Sequence, residues 1–216
     1  MEEVIDNISD YIKNMNQKMI IGISGHGASG KTTFVRKLID KFEENEVNLL
    51  NTDPYIISSD LRKYSEIDYE YNNESYRSKL TACHPSAHFI LALERDVQMI
   101  QKGLDFYTME THYRKSEFIN TNKKIHIIEG MSTAFVNPDL FDLKIYFYTD
   151  GDTELNRRAV RDINERGMEL AYLKASHEQR RIQYELFMHP YHRNFNIVIK
   201  NWDSGYEIEK YDIPKM

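Results

Sequence analysis

The sequence predicts an α/β fold in which a five-stranded parallel sheet is flanked by helices. Short runs rich in isoleucine, leucine and valine alternate with longer amphipathic stretches along the 216 residues. This alternation is the pattern of buried parallel strands joined by crossover helices. In addition, four of the nine glycines lie between Gly22 and Gly30, directly after the first apolar run. The first strand is therefore expected to lead into a helix through a glycine-rich turn.

The elements follow in order along the chain. The apolar runs predict strands over 19–24, 47–51, 125–129, 143–148 and 196–200. Apolar residues at helical spacing predict an N-terminal helix and helices over 31–44, 86–102 and 152–187, the last broken at Gly167. The tyrosine-rich segment 58–81 has no clear period and is expected to be a mobile loop or a short helix near a site. No repeat or linker divides residues 1–216, so one domain is predicted.

Composition and charge exclude several classes of function. The net charge of -6 offers no sequence-wide basic field for nucleic acid. One cysteine, Cys83, leaves no intramolecular disulfide. The acidic N-terminus is unlike a signal peptide, and no apolar run approaches the roughly 18 to 20 residues of a membrane span. We expect a cytoplasmic protein without a nucleic-acid or membrane partner, and a homo-oligomer is compatible with the sequence.

The glycine cluster fits the phosphate-binding pattern G-x-x-x-x-G-K-[ST] from Gly25 to Thr32, between a predicted strand and a predicted helix. Small residues let backbone N–H groups converge on a phosphate, and the helix N-terminus adds its positive dipole end. Lys31 would bridge the β- and γ-phosphates, while Thr32 and Glu129, at the end of a second strand, would serve magnesium. The predicted nucleotide contacts are Gly25, Gly27, Ala28, Ser29, Gly30, Lys31, Thr32 and Thr33.

Beyond this loop, the chain resembles the uridine kinase and phosphoribulokinase family of P-loop small-molecule kinases, most closely its uridine/cytidine kinase branch. The resemblance covers about 18–200 and is carried by IIGISGHGASGKTT, HPSAHFILALERDVQMIQKG, FYTMETHYRKS, IHIIEG, FDLKIYFYTDGDTELNRRAVRDINERG and HPYHRNFNIVIK. It implies a P-loop NTPase three-layer fold with a helical lid over about 152–176 and a substrate flap over about 105–119. It also implies transfer of the γ-phosphoryl group of ATP, with Mg²⁺, to a hydroxyl of a small metabolite, most closely a nucleoside such as uridine or cytidine.

The resemblance also implies roles for individual residues. Asp53 stands where the family places the aspartate that accepts the proton of the attacking hydroxyl. Independently of the family, a carboxylate at the carboxyl end of a parallel strand faces the ligand crevice and can orient a hydroxyl. The lid arginines Arg158, Arg161 and Arg166 would stabilise the transferring group. Acceptor contacts would come from Tyr55, Cys83, His84, Tyr107, His112 and Arg114.

Several departures from the family concern the acceptor. Cys83 stands where the nucleoside kinases carry a ribose-binding aspartate, Met168 replaces a further lid arginine, and Ser176 replaces a glutamine. The alternatives are therefore the same chemistry on another nucleoside, a vitamin-like alcohol or a sugar phosphate. A non-catalytic nucleotide-binding regulator is a further alternative, although the retained Asp53 and arginine-rich lid favour an enzyme.

Overall fold

The computed structural model, which describes residues 1–166 and 170–213 without the side chains of 162–172, contains the predicted parallel sheet. The strands are β1 (Met19–Gly25), β2 (Val47–Asn51), β3 (Glu66–Tyr71), β4 (Glu74–Lys79), β5 (Phe106–Tyr107), β6 (Phe118–Ile119), β7 (Ile125–Glu129), β8 (Leu143–Tyr148), β9 (Ile197–Trp202) and β10 (Gly205–Tyr211). The helices are α1 (Glu2–Asn14), α2 (Lys31–Ile39), α3 (Ser59–Arg62), α4 (Ile90–Gln101), α5 (Gly151–Arg166) and α6 (Leu170–Gln183).

The central sheet has the order β10-β9-β8-β1-β7-β2. The five predicted strands are parallel to one another. The edge strand β10 is antiparallel and was not predicted from the sequence. In the register, Glu129 of β7 lies beside Ile23 of β1 on one side and beside Asn51 of β2 on the other. The carboxyl ends of these three strands therefore meet at one edge of the sheet, where ligands of open α/β folds bind.

Helices cover both faces of the sheet through apolar stripes. On one face, α1 and α2 bury residues such as Ile5, Ile8 and Phe34 against β1, β7 and β8. On the other face, α4 buries Leu93 and Val97. These contacts confirm the helices α1, α2 and α4, which the spacing of apolar residues predicted. The helices are shorter than expected: α2 ends at Ile39, and a 3₁₀ turn (Pro85–Ala87) precedes α4.

The segment 58–81 differs from its expectation as a mobile loop or short helix. It contains the short helix α3, but most of it forms an antiparallel hairpin of β3 and β4. Both turn residues, Asn72 and Asn73, have positive φ (52° and 65°), as favoured by two-residue hairpin turns. Tyr69 and Tyr76 stack across the strands, with ring centroids 5.6 Å apart. The irregular mixture of tyrosine and charged residues is thus a two-stranded ribbon with one exposed face.

Two further features approach the sheet edge from outside. Helices α5 and α6 form two arms of the predicted helical region, and its predicted break at Gly167 lies outside the described residues. The pairing of β5 with β6 makes a short hairpin within 105–119.

No helix in the described ranges is long and apolar enough to cross a membrane.

Candidate active site

The turn between β1 and α2 has the geometry of a phosphate-binding loop. Gly25 has φ 142°, and a Cβ there would stand 1.8 Å from the carbonyl oxygen of Phe147, so only glycine fits. Lys31 is buried, and its ammonium donates a 2.9 Å hydrogen bond to the carbonyl of His26. Burial lowers the pKa of Lys31, whereas the carboxylates of Glu129 and Asp53 raise it. The lysine is therefore folded back over the loop, facing the carboxylates at the sheet edge.

Glu129 closes this edge from β7. One carboxylate oxygen lies 3.5 Å from the Thr32 hydroxyl, and the other accepts a 3.3 Å hydrogen bond from the side chain of Asn51. Burial raises the pKa of the Glu129 carboxyl, and the nearby Lys31 ammonium opposes the shift. The buried carboxylate is thus suited to face a cation.

Asp53 follows β2 by two residues and lies in an exposed position. Its backbone N–H donates to the Asn51 side chain at 2.9 Å, which fixes the turn after the strand. Tyr113, at the tip of the β5–β6 hairpin, donates its hydroxyl to the Asp53 carbonyl at 3.0 Å. Tyr113 was not among the residues predicted from the sequence. There, only its position next to His112 indicated a place near the site.

These groups line one cleft of about 1350 Å³. Pockets for a single drug-sized ligand are roughly 300–1,000 Å³, so the cleft has room for two ligands. Of the residues predicted from the sequence, the cleft brings together Gly27, Ala28, Ser29, Gly30, Lys31, Thr32, Thr33, Asp53, His112, Glu129, Arg158 and Arg161. Gly25 lies at the base of the loop and is not part of the lining. The Arg166 side chain lies outside the described residues.

A buried ionic network that the sequence did not predict joins the loop to both helical arms. Glu154, on α5, is 1% exposed and lies 3.3 Å from Nε of Arg180 and 3.4 Å from Nη1 of Arg181. Burial alone would raise the pKa of Glu154, but the interaction with His26 and the charges of Arg180, Arg158 and Arg181 lower it to about 2. The carboxylate is therefore ionised and holds cations from α6. In the sequence, the adjacent residues Arg180 and Arg181 are the only indication of this network.

His26 connects the same network to the phosphate-binding loop. Its Nε2 accepts a 2.9 Å hydrogen bond from the backbone N–H of Thr149, so Nδ1 carries the proton and donates to the Gly27 carbonyl at 2.9 Å. Nδ1 also lies 3.5 Å from Glu154. Burial lowers the pKa of His26 to about 4. A neutral histidine thus fixes the loop against β8 and α5.

Arg180 and Arg157 approach the loop from the two arms. A Cβ added at Gly27 would lie 3.0 Å from Nη2 of Arg180, so this guanidinium stands directly over the loop. Arg157 donates to the Ala28 carbonyl at 3.3 Å and to the Asn201 side chain at 2.6 Å. Both arginines line the cleft, which places positive charge beside the phosphate-binding backbone.

Two predicted acceptor residues, Tyr55 and Cys83, have buried side chains that do not line the cleft. Tyr55 is 0% exposed and donates its hydroxyl to the buried carboxylate of Asp96. Cys83 is also 0% exposed and packs in an apolar cluster with Met131 and Tyr184. Burial raises the pKa of the Cys83 thiol, so it offers no anionic acceptor for a ribose hydroxyl.

Three more predicted acceptor residues lie outside the cleft lining. His84 accepts from the Ser86 N–H at 3.1 Å and caps the turn before α4. Tyr107 is 66% exposed and contacts Phe118 across the hairpin. Arg114 forms an ion pair with Glu117 at 2.8 Å. Of the hairpin residues predicted from the sequence, only His112 reaches the cleft.

The donor atoms at the sheet edge fit a magnesium ion bound mainly through phosphates. Among the described side chains, no group of three or more His, Cys, Asp or Glu residues is arranged to hold a metal. Magnesium bound with a nucleotide needs no such cage, because one or two protein oxygens join phosphate and water ligands. Thr32 and Glu129 provide such oxygen donors 3.5 Å apart.

Comparisons with known proteins agree with this architecture. Residues 20–204 match the model of the Phosphoribulokinase / Uridine kinase family. The chain is 30% identical over 195 residues to "Uridine-cytidine kinase 2-B" of Danio rerio, covering 87% of this chain and 72% of that protein. It is 34% identical over 163 residues to a uridine kinase of Clostridium botulinum (strain Okra / Type B1), covering 71% and 73%.

A solved structure shares the fold at low sequence identity. The phosphoribulokinase from Rhodobacter spheroides superposes with a TM-score of 0.57 at 19% identity, over 86% of this chain and 71% of that one. This likeness concerns the fold, whereas the family assignment rests on the match over residues 20–204 and on the relatives that are 30–34% identical. The chain belongs to the phosphoribulokinase / uridine kinase family and is an ATP-dependent phosphotransferase.

Proposed function

We propose that this protein transfers the γ-phosphoryl group of Mg·ATP to a hydroxyl group of a small-molecule acceptor. The observation that carries the proposal is the placement of Asp53 in one cleft with the phosphate-binding loop, Lys31 and several arginines. A nucleotide-binding module alone does not require the carboxylate of Asp53 next to the loop. A kinase does, because the acceptor hydroxyl must be oriented for in-line attack.

The donor nucleotide binds at the loop. Backbone N–H groups from Gly27 to Thr32 and the N-terminus of α2 face the β-phosphate, and the Lys31 ammonium turns from the His26 carbonyl to the β- and γ-phosphates. Thr32 and Glu129 would hold magnesium or its water ligands. When bound, magnesium neutralises charge on the β- and γ-phosphates.

The transfer step follows from the position of Asp53. Its carboxylate accepts a hydrogen bond from the acceptor hydroxyl and takes the proton as the oxygen bonds to the γ-phosphorus. The bond from the γ-phosphorus to the bridging oxygen breaks, and its electron pair leaves with ADP. Arg158, Arg161 and Arg180, which line the cleft, stabilise the charge on the transferring group.

The names of the relatives indicate which acceptors to test first. Relatives that are 30–34% identical carry the names uridine kinase and uridine-cytidine kinase, so uridine and cytidine are the first acceptors to test. His112 and Tyr113 at the cleft mouth offer a ring surface and hydrogen-bonding groups for a planar base.

The proposal is tested by ADP release from the purified chain with Mg·ATP and a panel of nucleosides, vitamin-like alcohols and sugar phosphates. We expect acceptor-dependent release that falls by about a hundredfold or more in Asp53→Asn, with ATP affinity nearly unchanged. Asp139→Asn, at an exposed position far along the chain, is the matched control. Full turnover in Asp53→Asn would show that Asp53 is not the base. Nucleotide binding without transfer to any acceptor would favour the alternative of a non-catalytic nucleotide-binding regulator.

A further inference from the structure

The residue proposed as the base lies on a single 3₁₀ turn, Asp53–Tyr55. Within this turn, the Tyr55 N–H donates to the Thr52 carbonyl at 3.0 Å, and the Ile56 N–H donates to the Asp53 carbonyl at 3.0 Å. Turns of this kind are short, and the geometry of their hydrogen bonds is poorer than in an α-helix. The direction of the Asp53 side chain therefore depends on the contacts that hold the turn at its other end, Tyr55.

Tyr55 attaches the turn to α4. Its ring is 0% exposed and packs in an apolar cluster with Leu93 and Val97 of that helix. Its backbone carbonyl accepts a 2.8 Å hydrogen bond from the N–H of Phe89, just before α4. Its hydroxyl donates to Oδ2 of Asp96. Because a phenol buried among apolar side chains needs a hydrogen-bond partner, this carboxylate fixes the ring in one orientation.

Asp96 is a buried carboxylate on α4 and is 0% exposed. Its second oxygen, Oδ1, accepts from Nε of Arg95 at 2.8 Å and from Nη2 of the same side chain at 2.5 Å. Arg95 is 60% exposed, so it approaches the carboxylate from the solvent side and leaves Oδ2 to the phenol. Burial of a carboxylate is costly unless both its oxygens are hydrogen-bonded. On its interior side, that requirement is met by the Tyr55 hydroxyl.

The same turn is joined to the hairpin of β5 and β6. Burial and the hydrogen bond to Asp96 raise the pKa of Tyr55, and a backbone hydrogen bond from Met109 opposes the shift. Tyr113 donates its hydroxyl to the Asp53 carbonyl at 3.0 Å. The hydroxyl of Tyr55 thus lies where α4, the hairpin and the turn that carries Asp53 meet.

We propose that Asp96 is a positioning residue for phosphoryl transfer, which holds Asp53 in place through the Tyr55 hydroxyl. Asp96 is not part of the lining of the cleft, so it acts without touching either substrate. This inference rests on the proposed function, in which Asp53 orients the acceptor hydroxyl. A displacement of about 1 Å at a reacting group can lower the rate by about a hundredfold. The hydrogen bond beneath the turn therefore affects the rate of transfer and leaves the affinity for both substrates unchanged.

Two substitutions of Asp96 test the proposal with the full chain, Mg·ATP and the best acceptor of the panel. Asp96→Leu removes the partner of the Tyr55 hydroxyl and should lower kcat by about tenfold to a hundredfold, while each KM changes by less than about twofold. Asp96→Asn should retain most of the rate, because the amide oxygen still accepts from the phenol. Asp142→Asn is the matched control. Its carboxylate accepts from the Ile20 N–H at 2.7 Å near the start of β1, so it should not affect kcat.

Combined variants separate positioning from a general loss of stability. If Asp96 acts through Asp53, Asp96→Leu should cause no further fall in kcat in a chain that already carries Asp53→Asn. A fall of the same size in both backgrounds would overturn the proposal. Tyr55→Phe removes the same hydrogen bond from the other side, so it should match the kcat loss of Asp96→Leu, and the double variant should be no slower. Thermal unfolding defines an assay temperature at which each variant is folded.

Amide hydrogen exchange, measured by NMR on the full chain, tests the inference without turnover. The N–H groups of Tyr55 and Ile56 should exchange at least about tenfold faster in Asp96→Leu, and the amides of the phosphate-binding loop, 25–32, should not change. This result supports the inference even if no acceptor is phosphorylated, in which case only the proposed function would fail. Unchanged exchange at Tyr55 and Ile56, equal acceleration in the loop, or full turnover in Asp96→Leu would overturn the inference, and full turnover would leave the kinase proposal intact.

Discussion

The buried carboxylate of Glu154 lies 3.3 Å from Nε of Arg180, and this ion pair ties the two helical arms together above the phosphate-binding loop. Glu154 belongs to the first turn of α5 and Arg180 to the last turns of α6. A terminal nitrogen of Arg180, Nη2, faces Gly27. A single carboxylate thus sets where a cation stands relative to the nucleotide phosphates, although it does not itself line the cleft.

Replacing Glu154 by glutamine is expected to lower both stability and turnover. The amide keeps the shape but leaves Arg180 and Arg181 without their shared negative charge, and breaking a buried pair costs about 3–5 kcal/mol. Urea denaturation measures the loss of stability. Because Arg180 would be less well placed on the transferring group, kcat should fall by about tenfold or more while KM for ATP changes little.

The control for this variant is Glu185→Gln, which removes the partly exposed i,i+4 partner of Arg181. An i,i+4 pair on a helix contributes about 0.3–0.5 kcal/mol, so stability and kcat should stay close to those of the wild type. Equal losses in the two variants would show that Glu154 has no special role in positioning Arg180.

Replacing Lys31 by methionine should weaken nucleotide binding. The ammonium is buried beside Glu129 and Asp53 and is the loop's only side-chain cation for the β- and γ-phosphates. Loss of charge-assisted hydrogen bonds should weaken binding of a non-hydrolysable ATP analogue by about tenfold to a hundredfold. Calorimetry measures this affinity. Lys41→Met, which breaks the surface pair with Asp6, is the control, and an affinity equal to the wild type in Lys31→Met would contradict the proposed loop chemistry.

Removing the Tyr55 hydroxyl should affect folding and leave acceptor binding unchanged. Burial and the hydrogen bond to Asp96 raise the pKa of Tyr55, so the neutral phenol donates to a carboxylate that is itself 0% exposed. Tyr55→Phe deprives that carboxylate of a donor, at a cost of about 1–3 kcal/mol in the free energy of unfolding. Tyr76→Phe is the control, since the Tyr76 hydroxyl donates to the exposed Glu74. This change should lower the free energy of unfolding much less. A raised acceptor KM without loss of stability in Tyr55→Phe would restore the substrate-binding hypothesis.

The sequence predicted the sheet and the donor side of the site because both are local patterns. Apolar runs mark buried strands, and the loop from Gly25 to Thr32 has its chemistry written in consecutive residues. Glu129 was predicted as a magnesium ligand because it ends a second apolar strand, where P-loop proteins place such a carboxylate. These inferences needed no knowledge of packing between distant segments.

The acceptor side was less predictable because it depends on contacts between distant segments. Tyr55 lies two residues after Asp53, yet one side chain turns into the core and the other into the cleft. Arg180 lines the cleft from α6, whose Gln183 hydrogen-bonds to Thr81 and Lys79, about a hundred residues away in sequence. The family resemblance made Cys83 a candidate ligand, since it stands where nucleoside kinases carry a ribose-binding aspartate, but it is buried among apolar side chains.

Stability should fall as the pH is lowered below neutrality, because three buried histidines are neutral in the folded protein. In each of His26, His88 and His126, one ring nitrogen contacts a backbone carbonyl, at 2.9–3.0 Å, and burial lowers the pKa to about 4. Unfolding returns these rings to a pKa near 6.5. Between about pH 6.5 and pH 4 the unfolded chain therefore binds more protons, and acid favours unfolding.

Denaturant titrations from pH 8 to pH 4 measure this dependence. The free energy of unfolding should lose up to about 1.4 kcal/mol per pH unit for each buried histidine below pH 6.5, and the histidine contribution should be flat above pH 7. In His126→Gln the slope should be shallower, because one titrating ring is gone. Below about pH 4.5, Glu154 adds to the loss, since its folded pKa of about 2 is depressed and protonation favours the unfolded chain. A slope that is the same in His126→Gln and the wild type would show that His126 is not held neutral by the fold.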